Sequence, residues 1–307
     1  MFAGPSARPD TTMHRTRRFL QLDVFSHQLM HGNPLAVVVD GEGLDDSTMQ
    51  AFARWTNLSE TTFLLPPTTP AADYRVRIFT PRQELPFAGH PSVGSAYAAI
   101  ETGLIDADKT SLIQECAAGL LRVQVVGSGP SRLIHVQAPP ARINAVDASL
   151  RSQLASALRV ALSEDETSHV DNGPHWIICH LGEATSVRSL QPDMAAIAAL
   201  CEQQAAVGVS VFGREHDGSA GMAVRAFCPA DGIAEDPVTG SANAAIMAWL
   251  ASRGDVDAYG LHYRASQGRE VGRDGYVEVS RDASSGAITI GGACAIGVRG
   301  ELNLPVN

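Results

Sequence analysis

The sequence predicts an α+β protein of two pseudo-equivalent lobes with a cleft between them, and three observations carry that prediction. At 307 residues the chain exceeds what one hydrophobic core usually supports, so two units are expected. Strand-like runs outnumber helical ones, and the order of elements in the first part of the chain recurs in the second. Two stretches about 150 residues apart share one construction: residues 84–100 (ELPFAGHPSVGSAYAAI) and residues 235–250 (EDPVTGSANAAIMAWL). Each runs from an acidic, proline-punctuated loop through glycine and a small hydroxyl residue into an alanine-rich segment with the composition of a buried helix. The string GSA-x-AAI occurs in both, at 94–100 and 240–246.

Along the chain, residues 1–13 (MFAGPSARPDTTM) are turn-rich and predict a disordered leader, with Met13 an alternative start. RFLQLDVFS and PLAVVVD read as strands about a turn at HGNP, where Asn33-Pro34 is a strong breaker pair. Asp46 and Ser47 can cap a helix that puts Met49, Phe52 and Ala53 on one face and ends near Asn57. ETTFLLPP and DYRVRIFTP follow as strands, the second alternating Tyr74, Val76 and Ile78 with Arg75 and Arg77. The first motif helix comes next, then TSLIQEC and LLRVQVV. The run GSGPS at 127–131 is the best boundary, giving an N-terminal lobe over 14–128 and a C-terminal lobe over 129–307 whose last strand is free to cross back. In the second part SRLIHVQAP reads as strand, DASLRSQLASAL as helix, HWIICHL as strand and PDMAAIAALCEQQ as helix. VGVSVFG and MAVRAFCP are strands, the second motif helix follows, and the tail from Leu261 is mostly strand.

Composition excludes several classes. A net charge of −10 disfavours nucleic acid or an anionic membrane as the main partner, so any bound anion must be held by local groups. The longest apolar runs, such as PLAVVVD, are strand-sized and far from the roughly 20 residues of a membrane span. The chain holds one lysine, Lys109, in a polar DADKTS turn, so Schiff-base chemistry has no residue to rest on. Five widely spaced cysteines without a CxxC pair, and an N-terminal arginine cluster followed by too short and polar a run for a signal core, predict free thiols in the cytoplasm. His175, Cys179 and His180 lie close in sequence, but on a strand His180 points away from the other two, so no metal site is predicted. Neither G-x-G-x-x-G after a strand nor G-x-x-x-x-G-K-[ST] occurs, and no cofactor is expected.

Chemistry concentrates at the two motifs. The first turn of a helix exposes unpaired N–H groups and the positive end of the dipole, and small residues there let an anion approach. The expected partner is a small carboxylate substrate. Glu60, in NLSETTFLL, reads either as a strand-end carboxylate in water or as a partly buried carboxyl with a pKa raised for proton transfer. His90, in AGHP, reads as a local hydrogen-bonding group or as a neutral imidazole touching substrate. Asp236, Thr239 and Ser241 can each cap the helix they adjoin, or line a site.

Taken together, GNPLAVVVD, NLSETTFLL, FTPRQELPFAGHPSVGSA, EDPVTGSANAAI and ASQGREVGR resemble the phenazine-biosynthesis PhzF-like family, within the diaminopimelate-epimerase-like fold. The resemblance covers about residues 18–301. It implies two lobes, each a curved mixed sheet around a central helix, the motif helices aiming their N-termini into the cleft. It also implies a cofactor-independent isomerase and a homodimer. Carried over by residue, Glu60 matches the catalytic glutamate, and His90, Asp236 and Ser241 match residues lining the site, with Gly89 and Gly240 giving backbone approach. The wider fold's racemases place one cysteine at each helix N-terminus, where this chain has Ala88 and Thr239; a two-thiol mechanism is therefore unavailable. The implied reaction is a proton shift within a trans-2,3-dihydro-3-hydroxyanthranilate-like molecule. A racemase or hydratase that used Cys228 as second base, and a non-catalytic carboxylate-binding protein, stay open as alternatives.

Overall fold

The computed structural model describes residues 14–216 and 220–305, so the leader expected over 1–13 lies outside the described residues. The first half runs β1 (His14–Val24), β2 (Asn33–Val38), α1 (Asp46–Thr56), β3 (Glu60–Leu65), β4 (Tyr74–Phe79), β5 (Glu84–Leu85), α2 (Gly89–Glu101), β6 (Ser111–Cys116), β7 (Gly119–Val126) and β8 (Leu133–Gln137). The second runs β9 (Arg142–Ala145), α3 (Ala148–Leu158), β10 (Thr167–Asp171), β11 (His175–Glu183), α4 (Ala184–Arg188), α5 (Met194–Gln204), β12 (Gly208–Arg214), β13 (Met222–Cys228), β14 (Ile233–Asp236), α6 (Gly240–Arg253), α7 (Val256–Tyr259), β15 (His262–Gln267), β16 (Gly275–Arg281), β17 (Ile288–Gly292) and β18 (Cys294–Pro305).

Strand pairing reveals the repeat. From β18 the ribbon passes antiparallel to β1 and β2, parallel to β3, antiparallel to β4, parallel to β6, then antiparallel to β7 and β8. From β9 it passes antiparallel to β10 and β11, parallel to β12, antiparallel to β13, parallel to β15, then antiparallel to β16 and β17. The two series are identical, and β8 pairs with β17 to join them into one mixed sheet. The short strands β5 and β14 are equivalent too, each antiparallel to the strand before it. The final strand β18 lies beside β1, so the two ends of the chain complete the same lobe.

This equivalence corrects one inference from sequence. The recurring GSA-x-AAI string is out of structural register: Gly240 opens α6, whereas Gly94 sits in the middle of α2. The true counterpart of Gly240 is Gly89, the first residue of α2. Gly94 has its own reason to be glycine, because a Cβ there would lie 2.5 Å from Leu35 Cδ2 and 2.8 Å from Val24 Cγ2, where the helix presses onto the sheet.

Helix α2 is buried from Gly89 to Ile100, and α6 is buried at Gly240 and from Ala242 to Leu250. That all-round burial explains alanine-rich sequences without an amphipathic stripe. Both helices belong to a single core running through the two lobes, with Val93, Ile100, Ile246 and Trp249 among its members. Each such aliphatic or aromatic side chain removed from water contributes roughly 1.5–3 kcal/mol. Smaller clusters fill the outer sides of the sheet, one under α3 to α5 and one under α1. The cap of α1 is Asp45, one residue before the expected pair, and its carboxylate accepts from Thr48 N–H. No helix among the described residues is long and apolar enough to cross a membrane.

Candidate active site

The central helices meet head to head. A Cβ placed on Gly89 would lie 3.3 Å from Gly240 Cα, and one on Gly240 would lie 3.4 Å from Gly89 Cα. Ile290 and Phe25 wall the contact, their side chains within 3.1–3.2 Å of those positions. Phe25 is fully buried with φ of 67°, in the left-handed region that a bulky residue rarely adopts. Its backbone is held there by Phe25 N–H donating to Ala293 O and Phe25 O accepting from Tyr276 N–H, each 2.8 Å.

Neither helix N-terminus is capped by a side chain. Ala88 has none to offer, and the Thr239 hydroxyl is turned to Asp236 instead. Asp236 in turn accepts from Asn33 Nδ2 at 2.9 Å rather than from helix N–H groups. The capping readings of Asp236 and Thr239 therefore fail, and two sets of first-turn N–H groups converge without a side-chain cap.

Asp236 sits in a network that crosses the lobes. Asn33 Nδ2, from the start of β2, also donates to Val238 O at 2.9 Å. Gln267, at the end of β15, donates to Asp236 O at 3.0 Å and to Thr239 Oγ1 at 2.9 Å, and accepts from Thr239 N–H at 3.0 Å. Asn243 completes it by donating to Gln267 Oε1 at 3.2 Å. Burial pushes the Asp236 carboxyl up to about 6, against the stabilising hydrogen bonds from Thr239 and Asn33.

Glu60 opens β3, and the structure favours the buried reading of it. Burial, with the neighbouring Asp236 charge second, raises its carboxyl to about 8, although the Ser59 hydroxyl opposes the shift. His90 Nδ1 lies 3.5 Å from Glu60 Oε2. Burial drives the imidazole down to about 3, with the Pro34 carbonyl opposing by accepting from the ring. Both groups are thus neutral at pH 7, and the approach is not an ion pair. Glu60 Oε2 and His90 Nε2 are buried without a hydrogen-bond partner, two orphaned polar atoms beside the start of α2. Ser241 sits at the margin: its Oγ accepts from Trp176 Nε1 at 3.2 Å and its carbonyl from Asn172 Nδ2 at 2.9 Å, leaving the hydroxyl proton free.

The lobes are not chemically equivalent. In the register that pairs Leu35 with Glu60, the second lobe pairs Trp176 with Gly208. A side chain at Gly208 would collide with Phe227 O at 2.5 Å and Cys228 Sγ at 2.8 Å. The site therefore has a carboxyl on one side and bare backbone on the other. Cys228 is no substitute, since burial, with Asp236 and Asp231 adding, pushes its thiol well above the usual value. Glu235, the acidic neighbour in the second motif, forms a bidentate pair with Arg225 at 2.8–2.9 Å, and its charge adds to the upward shift of Asp236.

Comparison with known proteins agrees with this architecture. The family model "Phenazine biosynthesis-like protein" matches residues 22–300. The chain belongs to that family. It is an isomerase-type family, and trans-2,3-dihydro-3-hydroxyanthranilate isomerase of Pseudomonas aeruginosa is 34% identical over 83% of this chain and 87% of its own length. Antisense-enhancing sequence 1 of Schizosaccharomyces pombe is 36% identical over 92% of this chain and 97% of its own. Among solved structures, the PhzF-family protein of Bacillus anthracis superposes with a TM-score of 0.80 at 26% identity, covering 94% of this chain and 99% of that one.

Sequence reasoning assigned no role to Asn33, Gln267 or Phe25. Asn33 lies in GNPLAVVVD and Gln267 in ASQGREVGR, two of the segments that carried the family resemblance. Each reads alone as ordinary turn chemistry; only the 203-residue span of the Asn33–Asp236 hydrogen bond exposes its role.

Proposed function

We propose that this PhzF-family isomerase moves a proton within a small, carboxylated, cyclic or unsaturated molecule of the trans-2,3-dihydro-3-hydroxyanthranilate type, with Glu60 as the single acid and base. The carrying observation is the buried, orphaned Glu60 carboxyl beside two uncapped helix N-termini, with no basic group at the equivalent place in the other lobe. Glu60 as carboxylate takes a proton from an activated C–H and returns it to another carbon on the same face. A pKa of about 8 makes it a stronger base than an ordinary carboxylate and a competent acid once protonated.

The other residues follow from their states. With its other ring nitrogen turned to Pro34 O, neutral His90 offers the Nε2 lone pair to a substrate N–H or O–H. Gly89 and Gly240 let the substrate carboxylate reach the helix N–H groups, and the Ser241 hydroxyl adds a donor at the rim. Asp236, fixed by Asn33 and Thr239, flanks the delocalised intermediate and holds up the Glu60 pKa.

The test is proton NMR in heavy water with trans-2,3-dihydro-3-hydroxyanthranilate and a panel of unsaturated carboxylates, wild type beside Glu60→Gln. Loss of conversion by a factor of about 10²–10⁴ with substrate binding retained is expected. Full activity in the variant would sink the single-base mechanism, and binding without turnover by the wild type would turn the reading toward a carboxylate-binding protein. Retained activity in Cys228→Ser is also expected, and its loss would revive a second-base mechanism.

A further inference from the structure

The internal repeat supplies a control for the surroundings of Glu60. In the register that sets Glu60 of β3 beside Leu35 of β2, the second lobe sets Gly208 of β12 beside Trp176 of β11. Counting back along each pair, Ser59 corresponds to Val207 and Asn33 to Pro174. The lobe with the carboxyl therefore carries a polar trio, Asn33, Ser59 and Glu60, where the other carries Pro174, Val207 and Gly208. None of that second set has a side-chain hydrogen-bonding group. The two extra polar side chains occur only beside the carboxyl.

They are also bonded to each other. Asn33 is fully buried, and Asp236 Oδ1 and Val238 O accept from its Nδ2 at 2.9 Å each, which uses both amide hydrogens. The amide is thereby oriented with Oδ1 toward Ser59, whose hydroxyl donates to it at 3.3 Å. The same hydroxyl is within reach of the Glu60 carboxyl, where it opposes the upward shift. A hydroxyl has one proton and two lone pairs. Toward a Glu60 carboxylate it must donate, because a carboxylate only accepts. Toward a protonated Glu60 it can accept, which leaves its own proton for Asn33.

We infer that Ser59 is the positioning residue of Glu60, a hydroxyl that turns its one proton to the carboxylate while Glu60 is ionised and to Asn33 once Glu60 is protonated. This role presupposes Glu60 as the base. Its consequence reaches the other lobe, since a donor at Asn33 Oδ1 polarises the amide and strengthens its two bonds to Asp236 and Val238. The tie between β2 and the second motif is then tightest while Glu60 holds the substrate proton, the interval in which water must stay out.

Carbon-13 NMR of protein labelled at glutamate and asparagine side-chain carbonyls, titrated without substrate, tests it. The other ionisable groups facing Glu60 are His90, Asp236 and Asp231. Glu60→Gln is the blank that separates the Glu60 step from theirs. In wild type the Asn33 carbonyl signal is expected to move at the Glu60 midpoint. Ser59→Ala is expected to raise that midpoint by about one pH unit, because the carboxylate loses a charge-assisted hydrogen bond, and to remove the Glu60 step from the Asn33 signal. Ser59→Thr keeps the hydroxyl and is expected to restore both, which loss of packing would not explain. An Asn33 carbonyl blind to Glu60 in wild type would overturn the inference, and so would an unmoved Glu60 midpoint in Ser59→Ala. In turnover the rising limb of kcat/KM should shift with the midpoint. A midpoint that moves while the limb stays would leave the role of Ser59 standing and overturn the single-base reading instead.

Discussion

The burial of the Glu60 carboxyl carries a cost to the fold, and the sign of that cost can be worked out. Its carboxyl is raised from an ordinary 4.5 to about 8, so the folded state favours the proton more than the unfolded state does. The resulting stability is fully present below about pH 4.5 and is lost as pH rises through about 8. Glu60→Gln removes the titration, so the variant should gain stability over wild type above pH 8, by about a few kcal/mol, and show no such gain near pH 4.5. Denaturant melts at the two pH values check this; an equal difference at both would mean that the carboxyl is not buried in the folded ensemble. Activity should move the opposite way. If carboxylate is the reactive form, kcat/KM climbs with pH and levels above about 8. Asp236, raised to about 6, is coupled to Glu60, so the limb reports the pair.

The paired helices α2 and α6 make their contribution through closeness. Alanine at Gly89 or Gly240 would set a methyl 3.1–3.4 Å from Ile290 and the opposite helix, so the two N-termini must part by a few tenths of an ångström. Each substitution should lower kcat/KM by about 10- to 100-fold, because small misplacements of positioning groups are amplified at the reacting atoms. Thermal melts should move far less than turnover. A loss of stability large enough to explain the lost rate would instead mark these glycines as packing residues only.

The two loops that the repeat makes equivalent are tied to each other. Arg82, between β4 and β5, donates to Ala230 O at 3.1 Å and lies 3.8 Å from Asp231, between β13 and β14. The Asp231 charge adds to the upward shift of Glu60, which puts this tie within electrostatic reach of the site. A base that takes and returns one proton needs water kept out between the two steps. Arg82→Ala should therefore raise deuterium incorporation into product in heavy water while lowering kcat only modestly. Unchanged incorporation would mean that the loops do not govern closure. An exposed pair of this kind adds little to stability, so melting should hardly move.

Much of this molecule is legible without coordinates. Alternating strands, alanine-rich helices preceded by glycine, one lysine and a strongly acidic balance specify the α+β class and exclude whole families of chemistry. The motifs single out Glu60, His90 and Asp236 as candidates, because each motif is local and the family resemblance rests on it. What tertiary structure decided is whatever depends on contact between distant segments. The Glu60 pKa is set by burial and by Asp236, 176 residues away along the chain, and the Thr239 hydroxyl accepts from Gln267, 28 residues away. The repeat itself shows the same division. Its true register lies in strand pairing, whereas the GSA-x-AAI match that suggested it is a coincidence of small residues. A string of common residues carries little information; a hydrogen-bonded ladder constrains every strand in it.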